Sequence, residues 1–318
     1  MIERDVVARL VPSVFPCDAA VTKLVPLIGG LESSVSRMTL RREDRSSQQI
    51  VIKRVQERRE ADRYQLLDGA GLTPRLHGVA DHDGSTYLFL ESVRGDHNWP
   101  WSNSANTRLV LEQLARVHAL GSSVDDWNYE DELIRSAEAT LAVAEESVRA
   151  LPEVPIRHEL RALRRIVTTL PELRRQLMPV LGRTLIHGDA HSGNVVLRGG
   201  RVILLDWGRS RAGSPLEDVS SWLLSLRMWE PAAGRDHDAL FRAYLTAAGR
   251  AAELTDEIRD AYWIAAASNA LAGALRYNLL VAVANRGARR VQAAAHARAG
   301  LRVIRRADER GARGSRSR

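Results

Sequence analysis

The polar run His187-Gly188-Asp189-Ala190-His191-Ser192-Gly193-Asn194 puts two imidazoles, a carboxylate and a carboxamide within eight residues, and Asp206 follows Asn194 by twelve at the end of an apolar segment. Phosphoryl transfer demands a carboxylate that orients and deprotonates a hydroxyl, together with oxygen ligands for the metal that neutralises phosphate charge. Magnesium takes hard oxygen ligands and keeps positions for phosphates and water, and Asn194 and Asp206 supply such oxygens. A second chemistry starts from the same stretch. His187, Asp189 and His191 have the donor types of a hydrolytic zinc or manganese centre, although a third imidazole at motif spacing is absent and Asn194 and Asp206 would then lack a role.

The elements that must hold these groups follow from periodicity and turn signals. Arg183 to Trp207 reads as a hairpin, with Thr184-Leu185-Ile186, the polar loop, Asn194 to Leu197, a turn at Arg198-Gly199-Gly200 and Val202 to Leu205. The first third of the chain predicts a small antiparallel sheet: strands over Val21 to Ile28 and Ser34 to Arg41 flanking Gly29-Gly30, and a third from Gln49 to Val55 that carries Lys53. A helix over Glu57 to Leu67 ends at Gly69 and Gly71, and Asp81-His82-Asp83-Gly84 turns into a strand from Ser85 to Glu91. Helices are expected over Thr107 to Leu120, Asp131 to Ala150, Arg157 to Leu177, Pro215 to Trp229, Asp238 to Ala248, Asp256 to Val283 and Arg290 to Ala307. The polar stretch Arg94 to Asn106 marks the boundary between domains at residues 1–93 and 94–318, the second holding the hairpin at 183–208.

Composition narrows the function classes. With 318 residues, 45% of them hydrophobic, the chain is long enough for one or two cored domains, and disorder over the whole length is excluded. One cysteine, Cys17, can form neither an internal disulfide nor a cysteine-based zinc site, and a charged N-terminus from Met1 to Leu10 does not resemble a signal peptide, so a cytoplasmic location is expected. The apolar region Tyr262 to Asn285 is interrupted by Ser268, Asn269, Arg276 and Asn278, so no membrane span is expected. Arginine replaces lysine nearly everywhere, leaving only Lys23 and Lys53, which draws attention to the one placed in a patterned strand. Seven arginines between Arg302 and Arg318 read as a frayed tail, with its basic end at about 308–318, and no aromatic residue interrupts it to stack on bases, so no nucleic-acid partner is expected. His118 reads as a packing residue, and Trp222, Trp229 and Trp263 read as core rather than as the lining of a cleft.

The loop resembles the H-G-D-x-x-x-x-N motif of the aminoglycoside phosphotransferase and choline kinase family, and Asp206-Trp207-Gly208 resembles that family's Asp-x-Gly metal motif. The similarity continues in Val51-Ile52-Lys53, in Glu60 fourteen residues before Pro74, in Glu91-Ser92-Val93, in the helix segment Leu114 to Leu120 and in Gly213-x-Pro215-x-x-Asp218, so that recognisable pieces span residues 21 to 225. This resemblance implies an α+β, bilobal protein-kinase-like fold with a small antiparallel-sheet N-terminal lobe and a mostly helical C-terminal lobe. It implies ATP and Mg2+ as cofactors, Asp189 as the catalytic carboxylate braced by His187, and Asn194 and Asp206 as metal ligands. Lys53 would contact the α and β phosphates, held by Glu60, and Glu91 to Val93 would form the hinge against adenine. The glycine loop, Gly29-Gly30-Leu31-Glu32-Ser33-Ser34, departs from G-x-G-x-x-G, so Gly30, Ser33 and Ser34 are expected to hold phosphates through backbone N–H groups and hydroxyls.

The expected function is transfer of the ATP γ-phosphate to a hydroxyl of a small molecule, by a monomer or homodimer. From Ala212 to Arg318 there are seventeen basic and eleven acidic residues, which favours a neutral or anionic acceptor, such as a sugar- or nucleoside-type antibiotic, over a polycationic aminoglycoside. The resemblance points to antibiotic resistance or self-protection. The alternatives are a metabolic kinase for choline, homoserine or a sugar, with Trp222, Trp229, Trp263, Tyr244 and Tyr262 as material for an aromatic cage, and a catalytically silent nucleotide-binding regulator.

Overall fold

The structure is a computed structural model that describes residues 2–15, 19–27, 34–55, 57–95, 100–121, 127–152, 154, 156–229, 236–251 and 253–314. Its contacts divide the chain into two compact units, one of residues 1–100 with 193–210 and one of 101–192 with 211–318. The second half of the expected hairpin therefore belongs to the sheet unit rather than to the helical one.

The sheet unit is built on five antiparallel strands in the order β1-β2-β3-β5-β4: β1 Ala20–Pro26, β2 Ser34–Arg41, β3 Ser47–Val55, β4 Leu76–His82 and β5 Ser85–Glu91. Successive side chains on a strand point to opposite faces. Ile50 and Ile52 of β3 thus join Met38, Leu40, Tyr87 and Phe89 on one face, where Val7, Leu10, Val11 and Phe15 of helix α1 (Arg4–Val14) cover them. Lys53 turns to the other face. Helix α2 (Arg59–Leu66) follows β3 and buries Glu60, Ala61, Arg63 and Tyr64. Strands β7 (Val195–Arg198) and β8 (Arg201–Leu204) form a hairpin closed by Gly199 and Gly200. Their φ values of 55° and 75° are those a tight turn with the strands' own twist requires. Two bonds tie the hairpin into this unit, from Leu204 N–H to the Leu72 carbonyl (2.9 Å) and from Arg198 Nη1 to Glu91 Oε1 (2.6 Å).

In the helical unit β6 (Thr184–Ile186) pairs with β9 (Arg211–Gly213) instead of with β7, so the expected three-strand hairpin is two separate ladders. Around β6 and β9 lie α3 (Ser104–His118), α4 (Tyr129–Ser147), α5 (Ile156–Leu181), α6 (Pro215–Trp229), α7 (His237–Ala247), α8 (Asp256–Asn269), α9 (Leu275–Ala284) and α10 (Gly287–Gly314). The helix expected from 256 to 283 is broken by a π-type turn at Ala270–Ala274, where Gly273 has φ 141°. The arginine-rich C-terminus is also not frayed up to Gly314. It continues α10, with Arg165 paired to Asp308 and Arg310 Nη1 on Asp260 Oδ1 at 2.6 Å. Among the described residues no helix is long and apolar enough to cross a membrane.

Candidate active site

Lys53 lies on β3 between Val35 of β2 and Leu88 of β5, and is only 6% exposed. A buried ammonium needs partners, and it has two: Glu60 Oε1 at 2.7 Å and Asp206 Oδ1 at 2.8 Å. The seven-residue connection between Lys53 on β3 and Glu60 on α2 is long enough, since the two side chains meet at 2.7 Å. Burial alone would lower the Lys53 pKa, but the two carboxylates outweigh it and hold the ammonium above its ordinary value. The same burial raises the Glu60 pKa, and the Asp206 charge adds to it while Lys53 opposes. Two carboxylates against one ammonium leave the group negative when both are ionised.

Backbone geometry aims Asp206. The residue has φ 60°, a left-handed conformation that aspartate tolerates better than most side chains, and its N–H donates to the buried Tyr64 hydroxyl at 3.3 Å. Trp207, fully buried, donates its indole N–H to the Leu204 carbonyl at 3.1 Å. Gly208 passes close by: a Cβ there would stand 3.3 Å from Glu60 Oε2, a tight approach, and 3.5 Å from Asp206 Oδ1, an ordinary contact. Asn194 enters β7 as Asp206 leaves β8, and the Leu205 N–H bond to the Asn194 carbonyl (2.8 Å) keeps the two residues at one end of the hairpin. Their oxygen donors fit a hard cation such as magnesium.

The remaining expected nucleotide residues are distributed differently. Ser34 opens β2, where its hydroxyl accepts from Arg54 Nη2 at 3.5 Å. Glu91 ends β5, and its side chain holds Arg198 and accepts from the Arg75 N–H, contacts that lower its pKa despite partial burial. Val93 lies two residues past the strand, half-buried. Gly30 and Ser33 fall outside the described residues, as does Cys17.

Asp189 and His187 belong to the helical unit. The loop between them is fixed from beneath by Asp218 of α6, whose Oδ2 and Oδ1 accept the backbone N–H groups of His187 (2.7 Å) and Gly188 (2.8 Å). The same carboxylate meets His118 Nε2 at 3.1 Å, and His118 Nδ1 meets the Tyr244 hydroxyl at 2.8 Å. Asp218 and His187 are wholly buried. Burial would raise the Asp218 pKa, yet the bond and charge of His118, the charge of His187 and the His187 N–H bring it below its ordinary value. His187 Nδ1 accepts from the Asp189 N–H at 3.2 Å, so the imidazole braces the backbone of the residue that carries the carboxylate. Asp189 itself keeps a 38% exposed side chain, with His191 Nε2 at 3.6 Å. Ala190 is buried beside it, and the Ser192 N–H reaches the Ser225 hydroxyl of α6 at 3.3 Å.

Sequence reasoning did not find the buried ionic network next to this brace. Glu217 binds Arg174 (3.1 Å) and Arg211, and accepts the Ser214 N–H at 3.0 Å. Arg211 also stacks 3.5 Å over the Tyr129 ring, and Arg174 reaches Glu130 at 2.6 Å. The two guanidiniums overcome burial and hold Glu217 below its ordinary pKa. Gly213 lets β9 close on this group, since a Cβ would meet Ile186 Cδ1 at 2.6 Å and Glu217 Oε1 at 2.9 Å. His118 was read as packing, and it is also a hydrogen-bonding strut. A hydrolytic metal centre has no such assembly, because among the described residues no three His, Cys, Asp or Glu side chains converge to hold an ion.

Residues 30–256 match the phosphotransferase enzyme family. The chain belongs to this family. Solved structures agree on the fold of this phosphotransferase at low sequence identity. Choline kinase from Cryptosporidium parvum Iowa II superposes with a TM-score of 0.64 at 10% identity, covering 97% of each chain. Amicoumacin kinase hAmiN, in complex with AMP-PNP, Ca2+ and Ami, gives 0.63 at 15% identity over 96% of this chain and 94% of its own. Aminoglycoside phosphotransferase APH(3'')-Id from Streptomyces rimosus ATCC10970 gives 0.55 at 17% identity over 83% and 97%. No curated protein sequence matches the chain significantly. The protein-kinase-like fold and phosphotransferase activity towards a small-molecule hydroxyl are therefore those expected from the motifs.

Proposed function

We propose that this phosphotransferase uses ATP with magnesium and modifies an antibiotic. The observation that carries the nucleotide half is the Lys53 ammonium, buried between Glu60 and Asp206 at 2.7 and 2.8 Å. Lys53, fixed by Glu60, would hold phosphate oxygens as a point charge. Asn194 and Asp206 would hold the metal, which supplies neutralisation of phosphate charge when bound. Asp189 would take the proton of the acceptor hydroxyl as its oxygen bonds to the γ-phosphorus and the bond to the leaving ADP oxygen breaks. The brace from Asp218 and His187 keeps Asp189 in place for that step, which is how a loop residue acquires the precision that catalysis needs. Glu91 to Val93 would meet the adenine, and Gly30, Ser33 and Ser34 the phosphates.

Two relatives of this fold carry antibiotic names, amicoumacin kinase and an aminoglycoside phosphotransferase, and they support a reading of resistance or self-protection. The similarity to choline kinase favours a second reading, metabolic phosphorylation of choline, homoserine or a sugar. A quaternary ammonium would need exposed aromatic faces. Trp222, Tyr244 and Tyr262 are at most 1% exposed, and Trp263 carries Arg306 over its ring at 4.8 Å, so these residues do not offer a cation cage. The test is ADP release with ATP and magnesium across aminoglycosides, nucleoside and peptide antibiotics, choline, homoserine and sugars. Release stimulated by an antibiotic supports the proposal, stimulation by a metabolite alone replaces it with the second reading, and nucleotide binding without release on any acceptor favours a silent regulator.

A further inference from the structure

The helical unit contains a cavity of about 610 Å³ whose walls come from α6, α7, α8 and α10. Four arginines line it, Arg227, Arg259, Arg306 and Arg310, against two carboxylates, Asp238 and Glu309. The internal pairing is uneven. Arg259 is neutralised by Asp238 at 2.9 Å and Arg310 by Asp260 at 2.6 Å, whereas Glu309 turns to Arg305 at 3.5 Å. Arg227 and Arg306, from different helices, have no carboxylate partner among the described residues. Arg227 adds unfavourable charge to the pocket: Arg306 is pushed below its ordinary pKa by partial burial and by the Arg227 and Arg305 charges against the pull of Glu309, and His237 is lowered by burial, Arg227 and Arg259 against the pull of Asp238. Two guanidiniums without an ion-pair partner among the described residues, on one concave wall, are an arrangement that takes an oxyanion, since each presents a fork of N–H donors. The Trp263 indole lies under Arg306 at 4.8 Å and supports that guanidinium from one side.

Helix α6 links the cavity to the loop that carries Asp189. The Ser192 N–H bonds to Ser225, and Arg227 follows two residues later on the same helix, about 3 Å further along the axis and on its opposite, exposed face. We propose that the cavity binds a carboxylate or phosphate, gripped by Arg227 and Arg306, and that the acceptor of this phosphotransferase bears that group. The second clause rests on the phosphotransfer reading; the first does not. Such an acceptor is the charge opposite of an aminoglycoside or of choline.

The test separates the two. Phenyl phosphate is titrated calorimetrically into the full-length protein saturated with AMP-PNP and Mg2+, so that the nucleotide site is filled, and phenyltrimethylammonium serves as the cation of similar shape. Phenyl phosphate is expected to bind at least tenfold more tightly than the cation, and Arg227→Gln and Arg306→Gln are each expected to weaken it at least fivefold. Both arginines are exposed, so neither substitution threatens folding, and AMP-PNP affinity checks that. Equal binding of the two probes, or phenyl phosphate affinity indifferent to both substitutions, overturns the site. ADP release then tests the acceptor. Oxyanion-bearing acceptors should lose kcat/KM in Arg227→Gln mainly through KM, while turnover restricted to polycationic acceptors overturns the anchor and leaves phosphotransfer intact. Normal probe binding with no ADP release on any acceptor overturns phosphotransfer and leaves the site.

Discussion

Asp206 and Asp218 are twelve residues apart in the chain and both meet a cationic or imidazole side chain, yet their surroundings are opposite. Asp218 is completely buried, with both oxygens used by two backbone N–H groups and His118. Asp206 has a side chain 40% exposed, and Lys53 meets only its Oδ1. A carboxylate saturated by N–H donors in the interior has no capacity left for a ligand and serves as a strut. A carboxylate left partly open suits a metal ion, and the buried lysine beside it suits phosphates. In the sheet unit Asp206 thus stays partly open, whereas in the helical unit Asp218 is closed off beneath the Asp189 loop.

Replacing the strut should produce the largest effect. Asp218→Ala leaves two buried N–H groups and His118 without their acceptor, and is expected to cost about 3–5 kcal/mol in urea unfolding. An effect under 1 kcal/mol would mean that the loop is held by something else. Gly213→Ala comes next, at about 1–3 kcal/mol, because Ile186 and Glu217 must move to admit a methyl group. On the open side, Glu60→Gln removes one of two partners of Lys53 and should weaken AMP-PNP binding about tenfold, or ~1.4 kcal/mol, with little change in unfolding; unchanged affinity would remove Glu60 from the nucleotide site. The smallest effect is in acid. Since the folded-state pKa of Asp218 lies below its ordinary 3.8, its contribution to stability is complete above that pH and is lost as pH falls through the lower folded value. Asp218→Asn should therefore flatten the acid limb of a stability–pH curve, and an unchanged limb would place the acid sensitivity in another group.

Legibility in the sequence followed the range of the interaction. Strands β1, β2, β3 and β5, the Gly199-Gly200 turn and most helices announce themselves by alternation, helical periodicity or turn residues. The short or irregular pieces do not. Strand β4 (Leu76–His82) has no inside-outside alternation, β9 is three residues long, and α1 contains Pro12. The arginine tail looked frayed because its order depends on Asp260 and Asp256, far from it in sequence. The same holds for the candidate site. Lys53, Glu60, Asp189, Asn194 and Asp206 were visible as a motif set, whereas the His118–Asp218–Tyr244 chain spans separations of 100 and 126 residues, and no local pattern records it. Arg174, Arg211 and Glu217 likewise meet only in the fold.

The division between holding nucleotide and activating the acceptor is tested most directly by Asp189→Asn, measured for both AMP-PNP affinity and acceptor-dependent ADP release. The expected result is unchanged affinity, within about twofold, with turnover reduced by about 10³-fold or more. Retained turnover, or a loss of nucleotide affinity as large as the loss of turnover, would contradict the assignment of Asp189 to the acceptor side of the reaction.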